Sequence, residues 1–224
     1  MLSIPLYPAF ISLKNFDCLI AGLGNVGRRK LAGLIVCEPR SVSIFDPAPD
    51  ISIETSSKTK IYFFNRVCER KDIEKSSLVF ACAGDPREND RIARICEDAR
   101  IFCDTASGSG RGSFIVPASV RRGDLVAAIS TSGASPALAR LYGRQLAEWL
   151  KPRARMTSLM KLLRPLILRA RPNQAWRQRL IYAIIDSPVA DWLENNERER
   201  CLEFLTTLFP AGYARDLAAI IELV

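Results

Sequence analysis

The carboxylate with the most suggestive setting is Asp104, which follows the apolar run Ile101–Cys103 and opens a loop of Ser and Gly around Arg111. The chain becomes apolar again at Phe114–Val116. A loop with few acids between two apolar segments is typical of a ligand-binding connection. Asp104 could act there as a general base, or it could only cap the turn that follows it.

A second group of residues forms the pattern G-x-G-x-x-G at Gly22, Gly24 and Gly27. Such glycines allow a tight turn, close approach of backbone N–H groups to a pyrophosphate, and close packing of helix on sheet. Asp46 ends the next strand, where it would bind ribose hydroxyls and repel a 2′-phosphate, so we predict NAD rather than NADP. The alternative is a glycine turn without nucleotide. The predicted cofactor contacts are Gly22, Gly24, Asn25, Val26, Gly27, Asp46, Ala83 and Gly84.

The elements that must position these residues alternate between strand and helix. Apolar runs predict five strands, and the Asp85-Pro86 pair predicts a helix start between the last two. This order is typical of an α/β fold with a doubly wound parallel sheet. The predicted strands are 18–21, 41–45, 60–64, 78–83 and 101–104.

The chain after this sheet changes character. Strand-like segments at 112–120 and 125–131 come close together, and Ser135-Pro136 predicts the start of a helix that ends near Leu150. Residues 153–224 are predicted to be helical, interrupted by prolines.

Composition excludes several kinds of site. The 224 residues contain no histidine, which removes imidazole catalysis and His-based metal sites, and we predict no metal. The seven cysteines form no C-x-x-C pair, which argues against a disulfide-built secreted protein. No apolar run reaches the ~20 residues of a membrane helix and no signal peptide is evident, so we expect a cytoplasmic protein without membrane contact. The net charge of +8 favours an anionic partner.

Four segments together resemble the precorrin-2 dehydrogenase/sirohydrochlorin ferrochelatase family, the front part of siroheme synthases. The most specific is "ISTSGASPALARLYGRQL", which is similar to the family's Ser-Gly-Gly-x-Ser-Pro-x-Leu-Ala-Arg signature. The resemblance covers about residues 4–150. The other three segments are "IPLYPAFISLKNFDCLIAGLGNVGRRK", "FACAGDPREND" and "IFCDTASGSGRGSFIVPASV".

The resemblance implies a Rossmann-type domain at 1–113, a dimerisation segment at 114–147 and a helical C-terminal region at 148–224, in a homodimer. It also implies oxidation of precorrin-2 to sirohydrochlorin with NAD+, and in some members insertion of Fe2+. Precorrin-2 carries eight carboxylates, which suits the basic charge. By the same match, the residues expected near substrate are Arg111, Ser130, Thr131, Ser132, Gly133 and Arg140, with Arg121, Arg122 and Arg144 as further candidate clamps.

The chain departs from the family at one position. Members that catalyse both reactions carry an Asp in the loop after the fifth strand, and that position is Ser107 here. Hydride transfer depends mainly on placement of the cofactor, whereas metal insertion must remove two pyrrole protons. We therefore expect a dehydrogenase without metal insertion, with a possible hand-over to a separate chelatase. Asp104 and then Ser107 are the candidate catalytic residues, and a bifunctional enzyme is the alternative.

Two other classes of function remain open from the sequence. A non-catalytic regulator that binds NAD would explain Gly22 and Asp46, but it would leave the "TSGASPALAR" signature unexplained. Residues 151–185 contain nine basic residues and no acid, which could suggest a nucleic-acid surface. Their periodic Leu and Ile instead indicate a helix pair with a core-facing stripe and a solvated basic face, so we expect no nucleic-acid partner.

Overall fold

A computed structural model describes residues 5–48, 58–106, 111–170 and 173–224. It contains two compact units: residues 7–116 form one, and residues 117–224 together with residues 5–6 form the other. The boundary follows Val116, three residues after the predicted end of the first domain, and the further predicted division at 147 stays a prediction. No described helix combines the length and apolar character that a membrane span requires.

The first unit contains a parallel five-stranded sheet in the order β3-β2-β1-β4-β5. Strands β2 and β3 are added on one side of β1, and strands β4 and β5 are added on the other side. The strand order therefore reverses at β1, and sheets of this kind bind ligands at the carboxyl ends of the strands beside such a reversal. The predicted α/β class is confirmed. Its elements are β1 (Asp17–Ala21), α1 (Asn25–Val36), β2 (Ser41–Phe45), β3 (Lys60–Phe64), α2 (Arg70–Ile73), β4 (Leu78–Ala81), α3 (Pro86–Ala99) and β5 (Phe102–Thr105).

Burial explains why the strands could be read from the sequence. All four residues of β4 are buried, as expected for a strand covered on both faces, while the edge strand β3 alternates between exposed and half-buried positions. One face of the sheet packs against Leu31 and Leu34 of α1, and the opposite face packs against Ile92 and Cys96 of α3. The two apolar cores hold the carboxyl ends of the strands in fixed register.

Helix α3 begins as its sequence predicts. The Asp85 side chain accepts a hydrogen bond from the Arg87 N–H at 2.9 Å, and Pro86 occupies the first helical position. The helix ends at Ala99, and the capping residue Arg100 adopts a left-handed conformation with φ of 56°. The amphipathic helix α3 therefore has a defined start, which follows the carboxyl end of β4.

The second unit combines a short antiparallel hairpin with helices that share one apolar core. The hairpin turns at Gly123, which has a positive φ of 56°. Leu159, Leu163 and Leu166 of the long helix are buried in the core together with Ile184 and Leu205. The elements are β6 (Ala118–Arg122), β7 (Leu125–Ile129), α4 (Pro136–Ala170), α5 (Gln174–Ile185), α6 (Val189–Glu194), α7 (Arg198–Leu208) and α8 (Ala214–Leu223).

Two boundary predictions in this region are wrong. The helix predicted to end near Leu150 continues to Ala170 and contains Pro152 and Pro165 in its interior. Each proline removes one backbone donor, but burial of leucines on both sides stabilises the continuous helix. The strand predicted within 112–120 begins only at Ala118 and continues to Arg122 in the structure.

Candidate functional site

The glycine turn between β1 and α1 has no room for side chains at two of its three glycines. Gly22 has a φ of 93°, and a Cβ there would lie 2.4 Å from the Cys82 carbonyl oxygen. A Cβ at Gly27 would lie 2.0 Å from the Gly22 carbonyl oxygen. Gly22 and Gly27 are therefore required by the backbone itself, which brings α1 close to the sheet.

Gly24 differs from its neighbours because a Cβ built on it meets no atom within 4 Å. It precedes the first turn of α1, which has no capping side chain and no acidic residue. No capping side chain binds the first N–H groups of this helix, which carry partial positive charge, and a side chain added at Gly24 would enter open space. This arrangement fits the pyrophosphate of a dinucleotide, as predicted. Asn25 is exposed there, whereas the Val26 side chain is half-buried against the core.

Asp46 follows β2 and is held in place by backbone donors. Its Oδ2 accepts a hydrogen bond from the Leu23 N–H at 2.6 Å, and its Oδ1 accepts one from the Ala48 N–H at 2.9 Å. The first contact joins the end of β2 to the glycine turn. Each carboxylate oxygen keeps a further lone pair, so Asp46 can still accept hydrogen bonds from ribose hydroxyls. It therefore caps the turn and remains suitable for the predicted ribose contact.

A cleft of about 140 Å³ opens at the carboxyl ends of β1, β2 and β4. Four of the eight predicted cofactor residues line it, and they come from three separate segments: Gly22, Asp46, Ala83 and Gly84. Phe45, Cys68 and Glu88 also contribute to its walls. Burial raises the pKa of the Cys68 thiol to about 11, so this thiol is neutral at physiological pH.

Asn89 fixes the wall that Ala83 forms. Its side chain is buried, accepts a hydrogen bond from the Ala83 N–H at 2.8 Å, and donates one to the Ala83 carbonyl oxygen at 2.9 Å. Both backbone polar groups of Ala83 are thus committed to one amide. Because the glycine turn packs directly on Cys82 and Ala83, Asn89 sets the relative position of two loops that line the cleft.

An ion pair on α3, between Arg91 and Glu88, supports the same wall. The Arg91 guanidinium donates hydrogen bonds to both carboxylate oxygens of Glu88, at 2.7 and 2.6 Å, and to the Cys68 carbonyl oxygen at 2.6 Å. Glu88 and Cys68 both line the cleft. This bidentate pair links α3 to the segment before α2 and orients Glu88.

Arg66 and Asp72 form an ion pair beside Phe45, which lines the cleft. Asp72 accepts hydrogen bonds from two Arg66 nitrogens at 2.7 and 3.0 Å and from the Glu69 N–H at 2.8 Å. The Arg66 guanidinium lies 4.9 Å from the ring centroid of Phe45. The hydrogen bonds from Arg66 hold the pKa of Asp72 below its ordinary value, although burial opposes them. Asp72 therefore keeps Arg66 over an aromatic residue of the cleft.

Asp104 lies on the buried face of β5. Its Oδ2 is 2.6 Å from the Nζ of Lys30, and the exposed fractions of the two side chains are 10% and 13%. The same oxygen lacks an aligned hydrogen bond, so this contact is a close ion pair with imperfect angular geometry. The Lys30 ammonium also lies 5.8 Å from the ring centroid of Phe80. The candidate base is thus engaged with a cation on the helix that follows the glycine turn.

The connection after β5 is anchored at both ends. The Ala106 N–H donates to the Ala81 carbonyl oxygen at 2.9 Å, and the Ser113 hydroxyl accepts from the Cys103 N–H at 2.8 Å. Ser107, the second candidate catalytic residue, lies outside the described residues. Arg111 forms an ion pair with Glu97 at 3.7 Å and remains 43% exposed, so its guanidinium is available to an anion.

The substrate candidates of the second unit form a tight turn before α4. Ser132 and Gly133 have positive φ values of 50° and 84°. The Ser130 hydroxyl accepts from the Ser132 N–H at 3.0 Å, and the Thr131 hydroxyl both donates to and accepts from the Ser135 backbone at 3.2 Å. These hydroxyls therefore shape the turn, while the Ser135 hydroxyl accepts from the Leu138 N–H and caps the helix. Arg140, Arg121, Arg122 and Arg144 are exposed.

Comparison with known proteins agrees with this geometry. Residues 9–118 match a family described as putative NAD(P)-binding. The siroheme synthase of Enterobacter sp. (strain 638) is 31% identical over 142 residues, which are 62% of this chain and 30% of that protein. The siroheme synthase of Thioalkalivibrio sulfidiphilus (strain HL-EbGR7) is 26% identical over 223 residues, which are 97% of this chain and 45% of that protein.

The chain is similar in sequence to siroheme synthases. The resemblance read from the sequence is thereby confirmed. The chain spans less than half the length of these two curated relatives. A solved structure named SirC, precorrin-2 dehydrogenase, shares the fold with a TM-score of 0.75 and 23% identity, over 91% of this chain and 98% of that chain.

Sequence reasoning missed Asn89 and Arg91, which bind residues of the cleft walls, and Lys30, which pairs with Asp104. A signal existed for Asn89, because it lies on the apolar face of α3 three and four residues before Ile92 and Ala93. A polar residue at such a position must have a buried partner. Nothing in the sequence identified Ala83 as that partner, since the contact depends on how the β4–α3 turn folds back.

Proposed function

We propose that this chain binds NAD+ in the cleft at the carboxyl ends of β1, β2 and β4 and oxidises precorrin-2 to sirohydrochlorin. The observation that carries the proposal is the open approach to Gly24 at an uncapped helix start, next to the anchored carboxylate of Asp46. Similar proteins are named siroheme synthase and precorrin-2 dehydrogenase, which supports the substrate.

The roles of the residues follow from their contacts. The N–H groups at the start of α1 bind the pyrophosphate, Asp46 binds the ribose hydroxyls, and Asn89 keeps the Ala83 wall in place. Bound NAD+ supplies the acceptor for the hydride that leaves precorrin-2. A proton leaves the substrate in the same oxidation and passes to solvent or to a side chain, for which Asp104 and Ser107 stay the proposed candidates. Exposed arginines, including Arg111 and Arg140, bind the substrate carboxylates.

The same proposal excludes efficient metal insertion. Ser107 stands where relatives with both activities carry Asp, and a neutral hydroxyl is a poor acceptor for pyrrole protons. We propose a homodimer that passes its product to a separate chelatase. The alternative is a bifunctional enzyme that acts as both dehydrogenase and chelatase.

An anaerobic assay with precorrin-2 and NAD+ tests the reaction directly. We expect NADH to form with sirohydrochlorin, and added Fe2+ to give no metallated product at a comparable rate. Ser107→Asp is expected to gain metal insertion while it keeps oxidation. Metallated product from the unmodified chain at the rate of oxidation would support the bifunctional alternative. NAD+ binding without turnover would support a regulatory module.

The preference for NAD+ depends on Asp46. In Asp46→Asn the repulsion of a 2′-phosphate is removed, so the affinity for NADP+ is expected to rise relative to that for NAD+ by roughly tenfold or more. Isothermal titration with both nucleotides measures this ratio, with Asp98→Asn on α3 as a control of equal charge change. An unchanged ratio would mean that Asp46 serves only as a cap.

A further inference from the structure

We propose that Lys30 and Asp104 act as a positioning pair that ties the nucleotide-binding helix α1 to strand β5. The proposal rests on the proposed function, because the two elements matter to each other only if α1 binds a nucleotide. It gives Asp104 a role other than proton transfer.

The contact joins three elements of the sheet unit. Lys30 lies in the second turn of α1, six residues after Gly24, and its side chain passes over the Phe80 ring of β4 to reach Asp104 on β5. Phe80 and Asp104 are direct neighbours across the sheet. The ion pair therefore fixes α1 laterally over the β4–β5 ribbon, whereas the glycine turn fixes only the start of the helix.

Burial makes this pair sensitive to the loss of either partner. Both side chains are at least 87% buried. Within the described part of the chain, Asp104 Oδ2 pairs with the Lys30 ammonium and has no hydrogen-bond partner. Removal of one partner leaves an uncompensated charge in a low-dielectric core, while replacement of both by apolar groups is often neutral. A general base would behave differently, because its loss cannot be compensated by a change in Lys30.

Asp104 also lies at the root of the connection that follows β5. Its neighbour Cys103 binds Ser113 on the returning chain, and the next residues continue to Ala106, which is bonded to β4. A shift of β5 against α1 would displace this connection relative to the bound nucleotide. The ion pair therefore controls the position of the connection that follows β5.

The experiment compares Lys30→Met, Asp104→Leu and the double variant Lys30→Met/Asp104→Leu. We expect each single variant to lower the melting temperature by roughly 10 °C and the double variant to recover most of that loss. The NAD+ dissociation constant and kcat/KM for precorrin-2 are expected to worsen by about tenfold in both single variants and to recover together in the double variant. The exposed pair Arg70–Asp98 provides the control, with Arg70→Met/Asp98→Leu.

The double variant keeps the test decisive even if the single variants do not fold, because it buries no unpaired charge. A folded double variant that binds NAD+ like the unmodified chain but has lost kcat by about 100-fold or more would identify Asp104 as a base and overturn the proposal. Single variants with unchanged stability and NAD+ affinity would overturn it as well. Failure of the unmodified chain to bind NAD+ would instead contradict the proposed function, while recovery of stability in the double variant would still measure the coupling.

Discussion

At the scale of single residues, the site depends on groups that orient other groups. Asp46 and Asn89 bind backbone atoms of neighbouring loops, and Arg91 binds both a carboxylate and a carbonyl oxygen. The sequence predicted Asp46 because it ends a strand after a glycine turn. It could not predict Asn89 or the partner of Asp104, because those contacts depend on which atoms the folded sheet brings together.

Asn89→Asp is expected to weaken NAD+ binding by roughly tenfold. The carboxylate can still accept the Ala83 N–H, but it repels the Ala83 carbonyl oxygen that the amide now binds. Isothermal titration with NAD+ and thermal unfolding measure the two effects, with the exposed Asn195→Asp as control. NAD+ affinity equal to that of the unmodified chain would show that the Ala83 wall takes no part in binding.

At the scale of elements, the sequence predicted buried strands well and helix ends poorly. Strands β1 and β4 are continuous apolar runs, and the Asp85-Pro86 pair fixes the start of α3. Pro152 and Pro165 suggested helix ends that do not occur. The burial of leucines in the core of the second unit outweighs the tendency of these prolines to end the helix. No local sequence pattern measures that burial.

The segment around α2 gives a prediction on pH. The pKa of Asp72 is lowered chiefly by Arg66, so its contribution to stability is present above its ordinary pKa of about 4 and is lost as the pH falls through the lowered value. Acid unfolding of Asp72→Asn is expected to depend less steeply on pH than that of the unmodified chain. Denaturant titrations over a pH series measure the slope, with Asp98→Asn as control. Identical acid limbs for Asp72→Asn and the unmodified chain would contradict the role of this pair.

At the scale of the whole molecule, the chain combines a sheet unit that carries the nucleotide cleft with a helical unit that carries an excess of basic residues. Of the seven cysteines, Cys37 alone is exposed, and burial raises the pKa of Cys18 to about 12 and that of Cys82 to about 11. Thiol reactivity therefore reports how tightly both units are packed.

Iodoacetamide at about pH 8 is expected to modify Cys37 in the native protein and the other six cysteines only after unfolding. Mass spectrometry of peptides over a time course identifies the modified sites. Rapid modification of Cys68 or Cys82 under native conditions would show that the cleft walls open, and it would contradict the fixed cleft described above.

The central claim is that a dinucleotide pyrophosphate lies against Gly24, and calorimetric titration of NAD+ into Gly24→Ala tests it most directly. A Cβ at Gly24 meets no protein atom, so the variant is expected to keep its melting temperature while NAD+ affinity falls by about tenfold or more. Gly33→Ala, which also adds a Cβ in open space on α1, is expected to leave NAD+ affinity unchanged. Equal NAD+ affinity in Gly24→Ala and the unmodified chain, or no binding by either, would contradict the account.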